Sequence, residues 1–199
     1  MKIYKFICLA ALAGLFAFQA CDVSSDGVKS LTPEEKAYCL NEIQGRYSGH
    51  AYHMIIDESG IAKIDSSIVG GTPSRLDTTL SLFPLEAKLF TAGMADTTMT
   101  RAINSAEGKL SFKMYFYSTD PIAFYGDLVQ VKYPFVYEGK EHEAVFSLDR
   151  LAAQCGTNAN GKYVMLLTFQ PVGGTIDGAT IDYESQQNPV TILMERDDQ

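Results

Sequence analysis

Few side chains in this chain are suited to chemistry: four cysteines (Cys8, Cys21, Cys39 and Cys155), three histidines (His50, His53 and His142) and a larger set of acids. Cys21 follows a small residue, Ala20, which suits a lipoprotein signal peptidase. Phe18 at −3 suits an ordinary signal peptidase poorly. Cutting before Cys21 would leave it as an acylated N-terminus, and two or three acyl chains hold a domain at a membrane. The residues ahead of it fit that reading. Lys2 and Lys5 make a positive start, and Phe6 to Phe18 carry no charge. That apolar run fits a signal-peptide core of about 7–15 residues and is short of the roughly 20 that span a bilayer. Cys39 and Cys155 remain. A disulfide between them, in an oxidising compartment, would close a loop of about 115 residues and add on the order of 4–5 kcal/mol in the chain-entropy model. The other reading is two buried thiols acting as small hydrophobes.

The histidines do not make a metal centre. Zinc needs three or four ligands converging on one point. His50 and His53 are an odd number of residues apart on a strand, so they point to opposite faces. Glu141-His142-Glu143 reads as a solvated strand start. Asn158-Ala159-Asn160-Gly161 has the outline of a calcium loop without an acid, and Asp177 and Asp182 flank Gly178 in what reads as a loop. There is no Gly-x-Ser-x-Gly elbow, no phosphate-binding glycine loop, and no histidine placed by motif to activate Cys155. Carboxylate pairs of the glycosidase kind are not excluded by spacing. The chain has a net charge of −8 without a basic cluster, which argues against nucleic acid as partner. Losing residues 1–20 removes two lysines and no acid, leaving it more acidic still. No cofactor is indicated, and no catalytic residue is assigned.

These residues sit on a pattern that is mostly β. Asp22 to Ser30 is polar and aperiodic and reads as a flexible tether. Thr32-Pro33-Glu34-Glu35 is a helix start with a capping box, and the helix is expected to reach about Ile43. Thereafter Tyr, Phe, Val, Ile and Thr alternate with turn residues. Strands are expected over 46–57, 61–69, 77–83, 110–117, 128–137, 141–148, 162–171 and 190–195. Gly70 to Pro73 reads as a loop, Pro84 as a strand end, Leu85 to Thr91 as one or two helical turns, and Pro134 as the mark of an edge or bulged strand. The expectation is an antiparallel barrel or sandwich of about eight strands with a short N-terminal helix. The chain divides into a signal peptide over 1–20, a tether over 21–30 and one β-rich domain over 31–199.

Ile43-Gln44-Gly45-Arg46-Tyr47-Ser48-Gly49, a short helix running into Gly-x-Tyr-x-Gly, resembles the opening of small Bacteroidetes-type cell-envelope lipoproteins. The relaxed residues before Cys21 resemble theirs too, as does the layout around Leu82-Phe83-Pro84-Leu85. The motif is also similar, more distantly, to the Gly-x-Trp that opens lipocalin barrels, with Tyr47 in place of Trp. The resemblance implies location and domain shape: an envelope lipoprotein, with the acids after Cys21 favouring the outer membrane, and a lipocalin-like domain. The function expected is a non-enzymatic binding module for a small apolar ligand or a protein partner. A structural accessory of an outer-membrane assembly is the alternative, and an envelope hydrolase the third. The aromatic clusters Tyr115-Phe116-Tyr117, Phe124-Tyr125 and Tyr133 to Tyr137 are the residues that could line a ligand site or pack the core.

Overall fold

A computed structural model describes residues 31–56, 62–95, 97–127, 129–183 and 188–197. The signal peptide, Cys21 with its tether, and the turn at Glu58-Ser59-Gly60 lie outside the described residues. The first described element is α1 (Pro33–Glu42). Its capping box is complete: Glu35 N–H donates to the Thr32 hydroxyl at 3.2 Å, and Thr32 N–H to the Glu35 carboxylate at 2.7 Å. No basic residue stands in its last turn. Arg196, from the far end of the chain, supplies that charge, donating to the carbonyls of Glu42 at 2.8 Å and Gln44 at 3.4 Å.

The strands are β1 (Tyr47–Ile56), β2 (Ala62–Ser74), β3 (Thr79–Glu86), β4 (Glu107–Thr119), β5 (Ile122–Gly126), β6 (Val129–Tyr137), β7 (Lys140–Thr157), β8 (Tyr163–Ile176), β9 (Ala179–Thr180) and β10 (Val190–Arg196). Two short helices, α2 (Lys88–Thr91) and α3 (Thr98–Asn104), lie between β3 and β4. Neighbouring strands pair antiparallel in chain order, and β10 pairs with β1 to close the barrel. Eight strands make the closed antiparallel barrel, as expected. β5 and β6 lie on one side of β7 in one unbroken register, from Ile122 opposite Cys155 to Tyr137 opposite Lys140. They continue one another along β7. Pro134 sits on β6, which stands at an end of the strand order, where a proline costs no ladder bond on its outer side.

Alternation decides what fills the barrel. On β4, Gly108, Leu110, Phe112, Met114 and Phe116 are buried while their neighbours face out. The same period brings Tyr133, Phe146, Leu167, Phe169, Ile192 and Met194 inward, each almost fully buried. Tyr47 is, with Tyr133, among the largest fully buried side chains. Its hydroxyl donates to the Ile43 carbonyl at 2.9 Å, tying the end of α1 to the barrel. Gly49 is the other half of that motif. A Cβ there would lie 2.1 Å from the Leu193 carbonyl oxygen, so only glycine lets β10 approach so closely.

Three expectations need correction. Gly70 to Pro73 is strand: Gly70 pairs with both Ser48 and Phe83, because β2 there passes from β1 to β3, and a Cβ at Gly71 would meet the Met194 side chain. Pro84 does not end β3; it falls in a register shift between Leu82 and Leu85, where no ladder donor is required. β7 continues through Asp149 to Thr157, held between β5 and β8. In addition β5, which the pattern did not reveal, is a strand. The expected turn at Glu138-Gly139 is a two-residue hairpin with both φ positive (50° and 75°), and Asp177-Gly178 is another (50° and 84°). Leu31–Gln199 is one compact unit.

Candidate functional site

The candidate residues fall at the two ends of the barrel and along its axis. At the end covered by α1, Cys39 and Cys155 are both buried free thiols. Cys39 Sγ donates to the Ser118 carbonyl at 3.7 Å. Burial pushes the Cys155 thiol up to about 12, with a further push from Cys39, and raises Cys39 too. Neither thiol ionises near neutral pH, so neither is activated as a nucleophile. Arg196 lies 4.4 Å over the Tyr163 ring and completes this end.

The opposite end carries a cluster of ion pairs. Lys88, the first residue of α2, is 3.2 Å from Asp65 on β2 and 3.0 Å from Glu86 on β3. It also donates to the Ser66 carbonyl at 3.4 Å. His53 pairs across the ladder with Asp65 and faces inward, only 4 % exposed, whereas His50 faces out. The histidines therefore do lie on opposite faces of β1. His142 is on β7, and among the described residues no group of three His, Cys, Asp or Glu side chains could hold a metal ion. His53 Nδ1 and the Ser67 hydroxyl, neighbours on adjacent strands, are buried without a hydrogen-bond partner.

Burial depresses the His53 pKa below the ordinary value; Asp65 and Glu86 oppose that and Lys88 adds to it. The sign follows. Below about 6.5 the unfolded chain takes up a proton that the folded chain resists, so stability falls with pH. Urea unfolding between about pH 7 and pH 5 is expected to show that loss, and His53→Gln is expected to flatten it. Equal slopes in the two proteins would refute the assignment. Asp65, Asp77 and Asp177, whose carboxyls sit below the usual range, lose their contribution only at lower pH, below about 4.

Between the ends lies an aromatic column. Phe90 of α2 enters the barrel and is fully buried. It stacks on Phe146 (ring centroids 5.3 Å, planes 19° apart) and on Phe169 (5.8 Å, 11°). Tyr133 meets Phe90 at 5.7 Å and 49°. The Tyr133 hydroxyl is wholly buried and has no partner. Leaving such a group unpaired costs on the order of 1–3 kcal/mol. Phe116, Phe124, Tyr133 and Phe135 thus pack the core, which the chain's own side chains fill, whereas Tyr115, Tyr117 and the exposed Tyr125 stack together on the outer face.

Two clefts open at the α2 end. One is lined by Pro134, Phe135, Val136, Glu141, His142 and Glu143 with Asp177. His142 Nδ1 and Asp177 Oδ2 are 2.6 Å apart, and Glu143 N–H donates to the other Asp177 oxygen at 3.0 Å. His142 stacks on Phe135 at 5.3 Å. Asp177 would orient the imidazole and leave Nε2 to accept a proton, but the lining includes no Ser, Thr or Cys to serve as nucleophile. Sequence reading placed His142 in a solvated strand start and Asp177 in a loop; only the register of β7 with β8 brings them together. The second cleft, of about 370 Å³, is a largely apolar groove lined by Met94, Met99, Ile176 and Ile181 together with Thr97, Thr100, Thr180 and Asp182. It lies beside the chain that links α2 to α3, where Met94 bridges to Tyr183.

No curated protein matches the chain. No solved structure matches it either. Residues 42–172 match a family model described as a domain of unknown function, DUF4840. The matched segment runs from the last residue of α1 into β8 and includes the Gly-x-Tyr-x-Gly motif, Phe90 on α2 and its three aromatic partners Tyr133, Phe146 and Phe169.

Proposed function

The chain belongs to the DUF4840 family, which lends it no chemistry, and from that starting point we propose that it is a lipid-anchored cell-envelope protein, a non-enzymatic binding module that recognises an apolar group at the α2 end of its barrel. The observation that carries this reading is the groove of Met94, Met99, Ile176 and Ile181. Methionine lines surfaces that adapt to more than one apolar shape, and the groove is large enough for a small apolar molecule or a side chain of a protein partner. The filled barrel argues against an open calyx, and the apolar groove at its mouth supports recognition there. Anchoring through Cys21, at the outer membrane, is the expectation from the sequence.

Two measurements test this. Methionine-methyl NMR of the chain, titrated with 1-anilinonaphthalene-8-sulfonate, is expected to shift Met94 and Met99 before other methionines. Met99→Glu is expected to weaken that binding at least about tenfold, because an uncompensated charge in an apolar site is costly. Shifts confined to other methionines would count against the groove. For the anchor, Cys21→Ala is expected to move the protein from the membrane fraction to the soluble one; an unchanged distribution would refute lipidation.

The His142–Asp177 pair keeps an envelope hydrolase as the second reading, since it supplies two ionisable groups within hydrogen-bond reach in one cleft. An exposed interaction accessory would rest instead on outward apolar residues such as Ile64, Ile68 and Met54 on β1 and β2.

A further inference from the structure

We propose that the slot filled by Phe90 is a second binding site, for a planar aromatic molecule carrying one hydrogen-bonding group, and that α2 is its lid. Phe90 is held as such a ligand would be. Its ring lies near-parallel to both Phe146 and Phe169, 19° and 11° from their planes, with Tyr133 as a third aromatic neighbour. Offset stacking of this kind is the preferred way to bind a flat apolar ring. The Tyr133 hydroxyl, wholly buried and without a partner, is what phenylalanine leaves unused. A core built only for packing has no need of an oxygen there, whereas a ligand with a hydroxyl or carbonyl would satisfy it.

The element that delivers Phe90 is short, and Leu89 and Thr91 are buried beside Phe90. α2 is a single turn of four residues, and its N-cap, Ala87, offers no side-chain cap. Helices this short have little stability of their own. Polar ties hold it: Lys88 to Asp65 and Glu86, the Thr91 hydroxyl to Asn104, and the Tyr183 hydroxyl to the Phe90 carbonyl at 3.5 Å. Withdrawing α2 by its Lys88 clasp would leave the Phe146–Phe169 slot open at the barrel mouth. A ligand that binds the open form is then opposed by the closed population, and weakening the clasp raises its apparent affinity.

The test is calorimetric titration of the full chain with 2-naphthol, in the wild type and in Lys88→Met, Asp65→Asn and Tyr133→Phe. Wild type is expected to bind. Lys88→Met is expected to bind about tenfold tighter, Asp65→Asn severalfold tighter as half of the clasp is lost, and Tyr133→Phe about tenfold weaker. Absence of binding to both wild type and Asp65→Asn, or clasp variants no tighter than wild type, overturns the proposal. Asp65→Asn leaves Lys88 its Glu86 partner and so guards against loss of folding in Lys88→Met. Tyr133→Phe also separates this site from the groove: binding of 1-anilinonaphthalene-8-sulfonate at Met94 and Met99 is expected to stay within about twofold, since Tyr133 does not line the groove.

Discussion

Gly49→Ala is expected to cost at least about 3 kcal/mol, at or beyond the upper end for an overpacked core site. The added methyl would stand 2.1 Å from the Leu193 oxygen and 2.6 Å from the Met194 Cα, both backbone atoms of β10. A side chain could swing away from such a clash, but a backbone in a hydrogen-bonded ladder has to move with its strand. The register from Tyr47–Arg196 to Tyr52–Thr191 is the seam that closes the barrel, and Gly49 opposite Met194 lies within it. Urea unfolding should show a lower midpoint. Gly156→Ala is the control. A Cβ at Gly156 meets nothing within 4 Å, so that change is expected to be neutral or slightly stabilising through loss of unfolded-state freedom. Equal midpoints for Gly49→Ala and wild type would show that β10 gives way at little cost.

Phe146→Ala should lose about 3–5 kcal/mol, the range for deleting a large buried aromatic. Phe146 is wholly buried and touches both Phe90 and Tyr133, so its removal opens a cavity against the lid and the column at once. For a domain of this size that is on the order of 6–20 °C in Tm. Calorimetry of Phe146→Ala beside Leu76→Ala checks it. Leu76 is fully exposed, and its loss is expected to stay within about 0.5 kcal/mol. A loss below 1 kcal/mol for Phe146→Ala would mean that the column repacks freely, and would weaken the case for a preformed aromatic slot.

Local signals in the sequence translated well. The capping box of α1 needs only residues three apart, so it could be read directly. β4 alternates from Gly108 to Phe116 and could also be read, because one face meets the core and the other does not. β5 was not readable. Ile122, Ala123 and Phe124 are all buried, which erases the period of two, and the segment is short. The second half of β7, with Asp149, Leu151, Ala152 and Ala153, has no strand propensity to speak of; two partner strands impose its conformation. The opposite orientation of His50 and His53 followed from parity alone. That His53 is the buried one depended on which face closed inward. The slot was the least legible feature. Leu85 to Thr91 could be read as a helical turn, yet nothing local says that Phe90 enters a barrel whose walls lie 40 to 80 residues further along the chain.

Pairing of the first strand with the last has a kinetic consequence. The barrel cannot close until Val190–Arg196 has been made, so most of the chain must wait with β1 unpaired on one side. Contacts between such distant segments are slow to form, and an unpaired edge invites association with other chains. A shortened chain limited to residues 42–172 would carry most of the strands but lack the closing one. Such a fragment is expected to remain open-edged and to aggregate at concentrations where the full chain stays monodisperse.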